Sequence, residues 1–135
     1  MQKMLICCLI CVCSISLVQV ESTTVFEELL KNVAALKRMA KSGADELYSP
    51  AINTKVCLLS TYKCFVNQSS LLKPADGQRE EDFNYHLQRV KFSTTVVKLN
   101  NTNLNCRSCD SYKLKPAQEF LTNFRHLLQM VRYIY

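Results

Sequence analysis

Phe120-Leu121-Thr122-Asn123-Phe124-Arg125-His126-Leu127-Leu128-Gln129-Met130-Val131-Arg132-Tyr133-Ile134 spaces Phe120, Phe124, Leu127, Val131 and Ile134 at steps of four, three, four and three. An α-helix turns once in about 3.6 residues, so that rhythm stacks the five side chains on one face. Pro116 stands at a first-turn position, where its fixed φ and missing N–H are tolerated, and Asp110 or Ser111 upstream is available as a cap. Three earlier segments repeat the pattern. The first is Phe26, Leu29, Val33, Leu36 and Ala40, closed by Ser42-Gly43. The second is Leu58, Tyr62, Phe65, Ser69 and Leu72, opened by Asn53-Thr54 as cap candidates and ended before Pro74 and Asp76-Gly77. The third is Phe83, Leu87, Val90, Thr94 and Val97, although the β-branched run within Ser93 to Val97 suits extended chain equally well. With only 2 glycines and 3 prolines in 135 residues, a turn-rich β-sandwich is disfavoured, and the fold class is all-α, a bundle of four amphipathic helices.

The links between these stripes are about 10, 7 and 17 residues long. A short middle link makes the second and third helices antiparallel. The outer links, at about 3.3 Å per residue, are long enough to run back along a whole helix. Both an up-up-down-down bundle and the simpler up-down-up-down order satisfy these lengths.

Lys3 precedes the apolar run Met4–Val20, and Val20 and Ser22 suit the −3 and −1 positions of a cleavage site. Residues 1–22 therefore read as a secretory signal peptide. Residues 23–135 form one exported, extracellular domain with no stable membrane insertion, since spanning a bilayer takes about 20 apolar residues. Cleavage removes Cys7, Cys8, Cys11 and Cys13 and leaves Cys57, Cys64, Cys106 and Cys109, an even set in an oxidising compartment. Two disulfides are expected, with three connectivities open. Cys57 and Cys64 share one helix face two turns apart, so a passing loop carrying Cys106 and Cys109 is able to pair with them in parallel. The Cys106-Arg107-Ser108-Cys109 motif is not read as a redox or zinc site, because no βαβ pattern surrounds it and secretion favours oxidation.

Catalytic chemistry finds little support. His86 and His126 lack a neighbouring nucleophile, and Glu27-Glu28 and Glu80-Glu81-Asp82 fall in first turns, where carboxylates complement the helix dipole. No phosphate-binding glycine loop, zincin motif or nucleophile elbow is present. The reading is a monomeric non-enzyme with no catalytic residue, cofactor or metal. The formal net charge of +6 is dispersed over Lys31, Lys37, Arg38, Lys41, Arg107, Lys113, Lys115, Arg125 and Arg132, among others. Export makes nucleic acid an improbable partner, whereas glycans, membranes or an acidic receptor surface suit such a face. Asn67-Gln68-Ser69 and Asn100-Asn101-Thr102 are glycosylation sequons, the second in a loop and the first within a helix.

Cys106-Arg107-Ser108-Cys109-Asp110-Ser111-Tyr112, Glu119-Phe120-Leu121 and Leu127-Leu128-Gln129 resemble the interleukin-21 end of the interleukin-2, interleukin-15 and interleukin-21 group of short-chain four-helix cytokines. Glu46-Leu47-Tyr48-Ser49-Pro50, followed by Cys57 and Cys64-Phe65, is similar to interleukin-2 or interleukin-15. The short leader weighs against interleukin-15, so the chain reads as interleukin-2-like or interleukin-21-like. This resemblance implies an up-up-down-down bundle with Cys57 bridged to Cys106 and Cys64 to Cys109. It also implies a cytokine that joins the common gamma chain, on the first and fourth helices, to a second receptor chain on the first and third. That second chain would be the interleukin-2-receptor beta chain or the interleukin-21 receptor, and the outcome would be kinase and STAT signalling in lymphocytes. Gln129 matches the family's fourth-helix glutamine at the gamma-chain contact. Asn32 fills the slot of the first-helix aspartate that contacts the second chain; it keeps a hydrogen-bonding oxygen but loses the charge. The rival expectation is a secreted basic helical protein that binds glycans or membranes through its cationic face.

Overall fold

In a computed structural model, which describes residues 25–43, 46–51, 55–103 and 105–134, each apolar stripe lies along a helix. Helix α1 covers residues 25–39, α2 Leu58–Ser69, α3 Glu80–Phe92 and α4 Ala117–Ile134. Two three-residue strands, β1 (Glu46–Tyr48) and β2 (Leu114–Pro116), lie in the first and last connections. The leader (residues 1–22), the cap candidates Asn53 and Thr54, the Ile134 side chain and Tyr135 lie outside the described residues.

Contacts at the helix ends fix the topology. Beyond α1, Lys41 N donates to Lys73 O (2.8 Å) and Ala40 bridges Pro74, so α1 and α2 finish at the same end of the bundle and run parallel. Tyr62, early in α2, meets Ser93, just after α3, which makes that pair antiparallel. At the start of α4, Gln118 Nε2 donates to Lys37 O (2.8 Å), and near its end Arg132 pairs with Glu27 (3.4 Å), so α4 runs against α1. The order is up-up-down-down, and the up-down-up-down alternative is excluded. Both long connections run back along the bundle and meet as an antiparallel ribbon, Glu46 opposite Pro116, Leu47 opposite Lys115 and Tyr48 opposite Leu114.

At the centre, Phe65 of α2 lies edge-on to Phe124 (5.0 Å between centroids) and tilted against Phe120 (5.3 Å). All three rings are 0% exposed, and burying side chains of this size contributes about 1.5–3 kcal/mol each relative to exposure. Leu29, Val33, Leu36, Phe83, Val90, Leu127 and Val131 complete the cluster from the other three helices. Tyr62 is buried among them. Ser93 Oγ donates to Val90 O, so the Tyr62 hydroxyl donates to Ser93 Oγ, and burial pushes the phenol pKa up to about 12.

Cys57 is bridged to Cys106 and Cys64 to Cys109, with Cα separations of 5.8 and 5.3 Å. Of the three connectivities, this parallel one holds the last connection against α2.

Several local expectations need correction. The four-helix fold holds, but its connections also carry a two-stranded ribbon, whose strands around Leu47 and Lys115 are too short to leave a period-two signal. Pro116 ends β2 just before α4 rather than occupying its first turn. Asp110 and Ser111 belong to a 3₁₀ turn, Cys109–Ser111, and hydrogen-bond to Ser108, so neither caps α4. After Phe92 the chain makes a 3₁₀ turn over Ser93–Thr95 instead of extending; Ser93 is buried there, and Thr94 points outward. Leu72 is buried beyond the end of α2. The amino end of α2 receives its cap from far away in sequence: Asn101 Oδ1 accepts from Ser60 N–H (3.0 Å), and Asn101 Nδ2 donates to Ser60 Oγ (2.8 Å).

Candidate functional site

Helix α1 has a neighbour on each flank, which gives the bundle two composite faces. Towards α3 it turns Asn32, only 7% exposed and engaged at both ends of its amide. Nδ2 donates to Glu28 O (2.8 Å), which leaves Oδ1 to accept from His86 Nδ1–H (2.8 Å). The bond sets the imidazole hydrogen on Nδ1 and ties the middle of α1 to the middle of α3. Partial burial, with Arg38 nearby, lowers the His86 pKa, while Asp82 opposes the shift. Next to this bond, a cleft of about 190 Å³ opens between the two helices, lined by Val25, Glu28, Leu29 and Asn32 on one side and Arg89, Phe92, Ser93 and Val96 on the other. Its rim carries apolar surface, since Phe92 is 61% and Val96 47% exposed.

Towards α4, the Gln118 and Arg132 contacts mark the two ends of the seam with α1. Helical geometry puts Gln118, Thr122, Arg125, Gln129 and Arg132 on the same flank of α4. Gln129 is exposed and its side chain makes no hydrogen bond among the described residues; with Arg132 and Tyr133 it borders an open depression. Tyr133 is 94% exposed. Gln129 and Asn32 thus lie on different faces of the bundle, with α1 common to both. Sequence reasoning did not single out Phe92 and Val96, which fall between the stripe positions and gain their place at the cleft rim only from the packing of α3 against α1.

The acidic pairs stand at the starts of α1 and α3. Glu27 meets Arg132, and Arg79 lies near Glu81 (3.5 Å) and Asp82 (3.9 Å). His126 is exposed on α4. Among the described residues, no three His, Cys, Asp or Glu side chains converge to hold a metal ion. Asn67 is exposed on α2, but the Ser69 hydroxyl of its sequon is buried and donates to Phe65 O (2.7 Å). Asn100 is exposed in irregular chain, beside the Asn101 that caps α2.

Four helices in up-up-down-down order, two long connections paired as a ribbon and a disulfide pair on the second helix define a short-chain four-helix cytokine. The family model of interleukin 15 matches residues 6–133, and the chain belongs to that family. It is a cytokine of the interleukin-2 and interleukin-15 group, acting on immune cells. The matching branch is the one against which the leader length weighed. A leader is removed during export and carries no information about how the mature helices pack.

Proposed function

We propose that the mature chain is a secreted cytokine that bridges the common gamma chain to a second receptor chain and so drives kinase and STAT signalling in lymphocytes. The bridging is non-catalytic: two ectodomains held on one small bundle bring their cytoplasmic kinases together. The observation that carries this reading is the pair of composite faces sharing α1, one holding exposed Gln129 and the other an apolar-rimmed cleft floored by Asn32. The gamma chain takes the α1/α4 face, with Gln129 offering both a donor and an acceptor. On the α1/α3 face, the interleukin-2-receptor beta chain or the interleukin-21 receptor covers Phe92 and Val96. Export through a cleaved leader and glycosylation at Asn100, with Asn67 as a second acceptor, belong to the same proposal, as does a monomeric state.

The test is surface binding of purified, oxidised Thr23–Tyr135 to the gamma-chain, interleukin-2-receptor beta and interleukin-21-receptor ectodomains of the same species, at low and physiological salt. Saturable binding at physiological salt is expected, and the second chain that binds assigns the subgroup. Gln129→Ala is expected to weaken gamma-chain binding by about 1–2 kcal/mol with an unchanged circular dichroism spectrum. Binding only at low salt, with no discrete receptor, would instead favour glycan or membrane attachment through the basic surface.

A further inference from the structure

Asn32 fills the slot where the family resemblance puts a receptor contact, yet both ends of its amide are spent inside the bundle. It is 7% exposed, its Nδ2 donates to Glu28 O (2.8 Å), and its Oδ1 accepts from His86 Nδ1–H (2.8 Å). Each bond fixes the next. The Glu28 carbonyl orients the amide, the amide oxygen holds the hydrogen on Nδ1, and a neutral imidazole so held carries its lone pair on Nε2. That nitrogen makes no hydrogen bond among the described residues, and it is not sealed in, since His86 is only half-buried. His86 stands one turn ahead of Arg89 on the same side of α3, and so at the end of the cleft that Asn32, Arg89, Phe92 and Val96 line. Partial burial and Arg38 of α1 hold the imidazole neutral against Asp82 of α3. Tyr85 meets the ring edge-on (5.3 Å between centroids), and Glu28 faces Arg89 across the adjoining cleft. Arg38 and Arg89 balance Glu28 and Asp82, so these side chains carry no net charge to select an ion.

We infer that the α1/α3 face recognises its receptor chain through His86 Nε2 as an acceptor, with Asn32 as the positioning residue behind it, and that the receptor presents a neutral hydrogen-bond donor on an apolar side chain. This rests on the proposed function and names the partner chemistry of its second face. An apolar body covers Phe92 and Val96, which are 61% and 47% exposed, while its hydroxyl or ring N–H reaches Nε2. A carboxylate or a carbonyl brings no hydrogen to a lone pair, and a cation would approach Arg38 and Arg89. The missing aspartate then has a consequence. A carboxylate at position 32 would favour the imidazolium and turn Nε2 into a donor, whereas the neutral amide keeps it an acceptor.

The experiment measures affinity for the second receptor chain, whichever ectodomain the unaltered protein binds, between about pH 7.5 and 5. It compares the oxidised protein with His86→Asn, His86→Gln and Asn32→Asp, and gamma-chain affinity reports that each variant is folded. His86→Asn keeps an N–H for Asn32 but has no atom in the place of Nε2, and should lose about tenfold near neutral pH. His86→Gln sets an amide oxygen near that place and should stay within about threefold. Protonation of Nε2 should weaken binding by the unaltered chain as pH falls, His86→Gln should be free of that fall, and Asn32→Asp should move it to higher pH. If the unaltered chain binds and His86→Asn matches it at every pH, the acceptor is overturned while the receptor reading stands. A His86→Asn variant that loses gamma-chain and second-chain affinity alike would make His86 a packing residue and also overturn it, as would a pH profile unchanged in His86→Gln. No binding of the unaltered chain to any second chain overturns the receptor reading of this face, and the role of His86 with it.

Discussion

Asn32 and His86 divide the work of joining α1 to α3 at a place where stability is sensitive to acid. The Asn32 oxygen accepts from His86 Nδ1–H, a hydrogen present in both protonation states, so protonation adds its charge at the opposite nitrogen. Burial and Arg38 on α1 disfavour that charge, Asp82 on α3 favours it, and the balance sets the pKa below the ordinary 6.5. Because the unfolded chain then takes up its proton first as pH falls, the contribution to stability is complete above the unfolded pKa of 6.5 and is lost as pH drops through the folded value. His86→Gln is therefore expected to flatten the rise of unfolding free energy between about pH 5 and 7, as read by urea titration at several pH values. Parallel profiles for the variant and the unaltered chain would remove His86 as the cause.

At the scale of the element, α2 shows how a helix with a weak local start is completed by a distant strand of chain. Its N-cap residue, Cys57, makes no side-chain cap bond, and its first turn holds no acid. Asn101 supplies the acceptor instead, next to the isolated bridge between Cys57 and Asn101. Asn101→Ala should cost about 1 kcal/mol, the ordinary cost of a lost cap, measured by chemical denaturation. An effect within a few tenths would mean that the disulfide at Cys57 alone holds the helix end. The four stripes were legible because the core imposes its period on sequence: Leu29, Val33, Phe65, Phe124 and Val131 are buried where the spacing puts them. The caps, the ribbon and Ser93 were not, since each depends on residues brought together from remote positions. Asn101 is 41 residues from Ser60, and β1 pairs with a strand beyond α3. The same holds for the two faces: Gln129 and Asn32 came from a resemblance, and their places on different sides of α1 depend on how α3 and α4 pack against it.

The whole molecule is held in its up-up-down-down order by where the crossovers are fastened. Leu47 is fully buried on the first crossover, and both bridges fasten the second to α2. In the chain-entropy model, closing the loop from Cys57 to Cys106, a separation of 49, restrains the unfolded chain by about 4 kcal/mol. The second bridge restrains less. Once the first is made, the remaining path from Cys64 to Cys109 runs through the short segments Cys57–Cys64 and Cys106–Cys109, a closure of roughly ten residues that contributes about 2.5–3 kcal/mol. Replacing either pair with Ser should therefore lower unfolding free energy by about 2.5–3 kcal/mol, since each bridge shortens the other's loop. Removing both should cost about 7 kcal/mol, a large share of the 5–15 kcal/mol typical of a domain. Denaturation of the two double variants and the quadruple variant measures this directly, and the non-additivity is the decisive quantity. Strictly additive losses would show that the bridges act by local strain or packing. A quadruple loss well beyond the sum of the two pair losses supports the shared-loop account, in which either bridge alone keeps the last connection against α2.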